Sequence, residues 1–134
     1  MSKNLLAVLL VFVVNMLLSF VQHGIVLHED YGALPQVMRS EQESQAYFGW
    51  LLAGQFLLSV SFVWLYRSFG KELPWPRRGV RFGIAATLLA WWPNHMIYHA
   101  VAKFPQELMF KQLALDAFVM LAMGLSLAWF LRKE

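Results

Sequence analysis

At 134 residues, 59% hydrophobic and 14% charged, with a mean hydropathy of +0.50, the chain lies far from the balance of a soluble domain of its size. It contains no cysteine, which excludes disulfides and thiolate metal sites and leaves His, Asp, Glu, Met or backbone oxygen as candidate ligands. The net charge of +3 does not point to nucleic acid, because the basic residues are sorted between loops in the manner of topology signals.

The first apolar run covers about 4–26. Lys3 ahead of it imitates the start of a signal peptide, but the stretch from Leu5 to Val21 exceeds a usual h-region, and "SFVQHGIVLHEDYG" offers no small-x-small cleavage site. It reads as a retained span. Three more runs follow at about 46–67, 80–102 and 106–131. Each is long enough for a hydrocarbon core of about 30 Å, which takes roughly 20 helical residues. A backbone in lipid must satisfy its own polar groups, so the spans are helices. The expected fold is all-α, a single integral membrane four-helix bundle over 1–134.

Between the spans the signals are local. "SEQE" at 40–43 has capping-box spacing and predicts a short interfacial helix or an early start to the second span. "GKELPWPRRG", with two prolines and adjacent arginines, reads as a short stiff turn facing lipid head groups. In "KFPQE", Pro105 suits a first helical position and Glu107 the positive first turn, so the last two spans are antiparallel neighbours. Lys3, Arg67, Lys71, Arg77, Arg78, Arg81, Arg132 and Lys133 share one side, against Arg39, Lys103 and Lys111 on the other. That bias predicts both termini in the cytoplasm. Tyr47, Phe48 and Trp50 at one end of the second span and Trp64 and Tyr66 at the other fit the two aromatic belts.

Each span carries polar residues three, four, seven or eight positions apart, and therefore on one helix face. They are Asn15, Ser19, Gln22 and His23; Gln55 and Ser59; His95 and His99; Gln112 and Asp116. Polar groups at membrane depth face protein or water rather than lipid. By helical rise, His95 and Asp116 both fall roughly 10 Å from the outer end of their spans. The expectation is one layer of His95, Asp116, Gln55 and Ser19, with His99, Gln22, His23 and Gln112 above it. Pro93 in "WWPNHMIYHA" is expected to release the Leu89 carbonyl and kink the third span. Trp91 and Trp92 would pack beside the kink, each indole N–H needing an acceptor, with Asn94 adding to the polar set.

An ionised Asp within a span costs roughly 2.5–3.5 kcal/mol on the insertion scale, so Asp116 must be protonated, paired with a His or wetted. Three roles remain open: an Asp–His hydrogen bond that fixes helix register, a proton or ion relay, and a ligand site. For a divalent metal, His95 and His99 at i and i+4 are joined as candidates by Asp116, His23 and Glu29. For a haem or chlorophyll-type tetrapyrrole, His95 or His99 would be the axial ligand, with Trp91, Trp92, Met109, Met120 and Met123 around the ring. "HMIYH" lacks the glutamate of the zinc-peptidase helix pattern, and that reaction class is discounted. "HGIVLHEDYG" reads as a solvated outer face. Gly79 with Gly83, and Gly124 with Ala128, are small pairs suited to close helix packing or self-association.

The second half, from "GVRFG" at 79–83 through the Tyr and Pro around the turn into the last span to the small-residue patch near Gly124, resembles small four-span bacterial inner-membrane proteins of an uncharacterised class. The resemblance covers 79–129. It implies bacterial origin, an inner-membrane location and a compact bundle, and it supplies no activity. Size and short loops point to a non-catalytic accessory or binding subunit, homo-oligomeric or part of a larger membrane complex. The alternatives are a metal- or tetrapyrrole-binding redox or pigment protein and a small proton-coupled transporter.

Overall fold

The computed structural model describes residues 2–133, which are all-helical with no strand among them. Helix α1 (Lys3–Ser19) is capped by Ser2, whose hydroxyl accepts from the Leu5 N–H at 3.3 Å. It continues as a wider π-helical turn over Phe20–Val26, closed by Leu27 N–H donating to the Gln22 carbonyl five residues back at 2.9 Å. A five-residue helix α2 (His28–Gly32) and α3 (Glu41–Ala46) lead into α4 (Phe48–Ser68). After the turn at Gly70, the one residue with positive φ among the described residues, α5 (Trp75–Ala86) begins with Pro76 in its first turn. A second π-helical turn (Thr87–Trp91) joins it to α6 (Trp92–Val101), and α7 (Gln106–Phe130) starts at Pro105.

Three of these helices are long and apolar enough to cross a membrane: Lys3–Val26, Phe48–Ser68 and Gln106–Phe130. The third expected span, 80–102, departs from a single α-helix. Arginines occupy the start of α5, and Pro93, having no N–H to give, cannot continue the α-pattern past Trp92. The chain adds a residue to the preceding turn, so that Trp92 N–H donates to the Thr87 carbonyl, and Pro93 then falls in the first turn of α6. Asn94 Nδ2 donates to the Ala90 carbonyl at 2.7 Å, so its side chain serves the break and is exposed rather than inside the polar layer.

Helix α7 is the central element. It packs along α5 and also against α1 and α6, while α1 lies between α7 and α4. The closest approach is at the small pairs, which are used within the chain. A Cβ on Gly83 would lie 2.8 Å from the Met120 carbonyl oxygen, and one on Gly124 would lie 2.5 Å from that of Gly79. One end of the bundle, holding both termini, is an apolar core that includes Val11, Phe62, Tyr66, Phe82, Met123 and Leu127. A smaller cluster of Leu27, Leu34 and Leu108 closes the opposite end. Arg78 fastens α4 to α5 at the terminal end. Its Nε donates to the Phe69 carbonyl and its Nη2 to the Tyr66 carbonyl, both at 2.7 Å; the latter oxygen also accepts from the Phe69 N–H at 3.1 Å.

The surface is apolar and the polar groups are inside. Trp50 is 78% exposed, Leu89 76% and Trp64 71%, whereas Asn15, Gln22, Ser59, Thr87 and Asp116 are buried. Water rarely tolerates so large an apolar surface, and hydrocarbon does.

The capping box is formed. Glu43 Oε2 accepts from the Ser40 N–H at 3.0 Å and from its hydroxyl at 2.8 Å, and Ser40 Oγ accepts from the Glu43 N–H at 3.3 Å. The backbone bond and then the hydroxyl hold the Glu43 carboxyl below its ordinary 4.5. A lowered folded-state value stabilises above the ordinary one and is lost as pH falls through the folded one. We therefore expect α3 to keep its helical NMR shifts at neutral pH and to lose helicity as pH falls through the folded-state value of Glu43, which lies below the ordinary one. In Glu43→Gln the shifts should not change with pH over that range; an equal pH response in both proteins would contradict the capping role.

Candidate functional site

The site is built around Asp116, buried on α7 with its side chain 7% exposed. Its Oδ1 accepts from Gln22 Nε2 at 2.6 Å, and its Oδ2 meets His95 Nε2 at 2.5 Å. One carboxylate thus ties together the π-turn after α1, α6 and α7. Both π-turns lie beside it: one carries Gln22, the other ends at Trp91, whose ring stacks on His95 with centroids 6.2 Å apart. The widened turns re-aim these side chains at a single point.

Toward the end opposite the termini, Gln112 Nε2 donates to the Tyr31 hydroxyl at 3.3 Å, and Tyr31 Oη lies 2.7 Å from His23 Nδ1. Because its oxygen accepts from Gln112, the phenol proton is free to be donated to His23 Nδ1 in the tautomer that carries its proton on Nε2. Burial raises the Tyr31 phenol above its ordinary value, so it stays a donor at neutral pH. Deeper in, Asn15 Nδ2 donates to Gln55 Oε1, Ser19 Oγ donates to Asn15 Oδ1 at 3.2 Å, and Ser59 Oγ donates to the Gln55 carbonyl at 2.8 Å.

The expected layers are therefore reordered. Gln22 takes the place beside Asp116 and His95 that was assigned to Gln55 and Ser19, which instead bond with Asn15. A depth count at one fixed rise does not see the π-turn that carries Gln22. His99 leaves the layer: its Nδ1 lies 2.9 Å from the Phe104 carbonyl, in the turn after α6. Trp92 Nε1 finds its acceptor in the Leu113 carbonyl at 2.9 Å. The solvated-face reading of "HGIVLHEDYG" holds for His28 and Glu29, which are exposed. It fails for Tyr31 and for Asp30, whose oxygens accept from Lys111 Nζ at 2.9 and 3.1 Å and dock α2 on α7.

Of the proposed metal ligands, His95 and Asp116 are joined, His23 sits within electrostatic reach of both, His99 is turned to Phe104, and Glu29 faces out. No three His, Asp or Glu converge on one point among the described residues. A tetrapyrrole on His95 would have to take Nε2 from Asp116 and displace the stacked Trp91. Tyr31 was absent from the sequence-based set. Its signal was there, an aromatic hydroxyl eight residues after His23 at the membrane edge, but only the turn at Leu27 brings the two together. Compared with family models, curated proteins and solved structures, the chain shows no match.

Proposed function

We propose that the chain is a small integral protein of the bacterial inner membrane, crossing it four times with both termini in the cytoplasm. We further propose that it acts as a non-catalytic accessory or binding subunit, as a homo-oligomer or within a larger membrane complex. The observation that carries the non-catalytic reading is the saturation of Asp116: both oxygens are engaged, by groups from two other helical segments, which is what a register lock requires. A relay across the membrane is less well supported, because the terminal half of the bundle is an apolar core. Residues 75–101, helical throughout and about 40 Å long at helical rise, run from the Arg78 clamp to the opposite end, which supports a fourth crossing. The bacterial setting rests on the resemblance of 79–129.

One feature favours a second reading, in which the His95–Asp116 pair holds a metal or tetrapyrrole. The Trp91 indole nitrogen is buried beside His95 with no acceptor in the described structure. Metal analysis and a visible absorption spectrum of protein extracted from its native membrane separate the two. We expect colourless protein with no stoichiometric metal. A Soret-type band, or a metal lost in His95→Ala, would replace the first reading with the second.

A further inference from the structure

Along the terminal half of the bundle, α4 and α5 separate. They are pinned at the end by Arg78 and by Phe82, whose ring packs against Phe62, Tyr66 and Phe69. Beyond that point α5 and the π-turn after it present the small Ala85, Ala86 and Ala90 together with Leu89, and a groove of about 480 Å³ remains, with Met120 of α7 among its lining residues. Its walls are almost wholly apolar. It extends along α4 from Ser68 to Leu58, about 15 Å at helical rise, which is half of a hydrocarbon core of about 30 Å and so the depth of one leaflet.

A second recess, of about 510 Å³, lies at the terminal end of α5 between Leu73, Pro76 and Val80, and Arg77 and Arg81 line it. Unlike Arg78, these two arginines are exposed and have neither ion pair nor hydrogen bond among the described residues. They stand one turn apart, and the row Arg77, Arg81, Ala85, Leu89 continues at four-residue spacing into the groove. The recess and the groove share no lining residue, and the Arg81, Ala85, Leu89 row is what joins them along α5. Two guanidinium groups at one end of that row and an apolar channel one leaflet deep at the other match a phosphate with a hydrocarbon chain attached.

We infer that this face binds one anionic phospholipid, its phosphate on Arg77 and Arg81 and an acyl chain in the groove between α4 and α5. The inference rests on the membrane reading and not on the role of the polar layer, so a metal found at His95 would leave it standing. It also survives inversion of the topology, which would only exchange the leaflet.

The test is native mass spectrometry of the full chain released from mixed micelles with dioleoyl phosphatidylglycerol or dioleoyl phosphatidylcholine. Wild type should retain one phosphatidylglycerol with roughly thirtyfold preference, the factor two surface arginines supply toward an anionic head group. R77Q/R81Q should lose the preference while keeping residual binding of either lipid. Ala86→Leu, with Ala85→Phe as a second groove-filling variant, should weaken retention of both, with helicity by circular dichroism unchanged. Equal retention of the two lipids by wild type, or groove-filled variants that bind like wild type, would overturn the inference. So would displacement of the lipid by inorganic phosphate alone, or a second copy of the chain cross-linked into the groove.

Discussion

Asp116→Ala should be the most damaging polar substitution in the chain. It removes two hydrogen bonds at once and leaves Gln22 and His95 facing each other across the gap. Side-chain hydrogen bonds between membrane helices average about 0.6 kcal/mol and reach about 1.7, so the loss is expected to be about 1–3 kcal/mol. Asp116→Asn should cost less than about 1 kcal/mol, because its carbonyl still accepts from Gln22 and its amide can donate to the other tautomer of His95. Reversible unfolding in mixed micelles reads both values. A loss in Asp116→Asn as large as that in Asp116→Ala would show that the charge, and not the bonding, is what the site retains, and would favour a relay or ligand role.

The second large effect lies at the α5–α7 crossing. Alanine at Gly83 would place its Cβ 2.8 Å from the Met120 carbonyl oxygen and 2.9 Å from Leu121 Cα, and at Gly124 its Cβ would fall 2.5 Å from the Gly79 oxygen. These neighbours are backbone atoms, with no side-chain end to swing away, so the helices must move apart. Overpacking of this kind costs about 1–3 kcal/mol for one methyl group, and leucine at either position is expected to prevent folding. Gly54 is the internal control. Nothing lies within 4 Å of its Cβ position, and Gly54→Ala should be neutral or slightly stabilising through helix propensity. Equal tolerance at Gly54, Gly83 and Gly124 in the same unfolding assay would contradict the packing described.

Much of this was legible in the residues, and what was not has a common cause. Apolar run length located α1, α4 and α7 within a few residues, since hydrophobic length is a direct consequence of the solvent. The Ser40–Glu43 box and the small pairs were readable because they depend on neighbours in the chain or on the absence of a side chain. Asp116 and His95 were brought together by depth alone, and the structure pairs them. Gln22 and His99 were misplaced because a fixed turn of 3.6 residues was assumed through two segments that wind more loosely, after Ser19 and before Trp92. Pro93 signalled a break, but not that an extra residue would absorb it upstream. Tyr31 and Arg78 escaped because their partners, His23 and the end of α4, are set by chain reversals whose geometry no periodicity records.

The claim that most needs testing is that the polar layer holds the helices in one register through bonds among its own members. A double-mutant cycle on His95→Ala and Asp116→Ala, measured by reversible unfolding in mixed micelles, tests it most directly. We expect a coupling of about 1–2 kcal/mol, with each single variant destabilised and the double variant little worse than either. A coupling near zero, with the two losses simply additive, would contradict it.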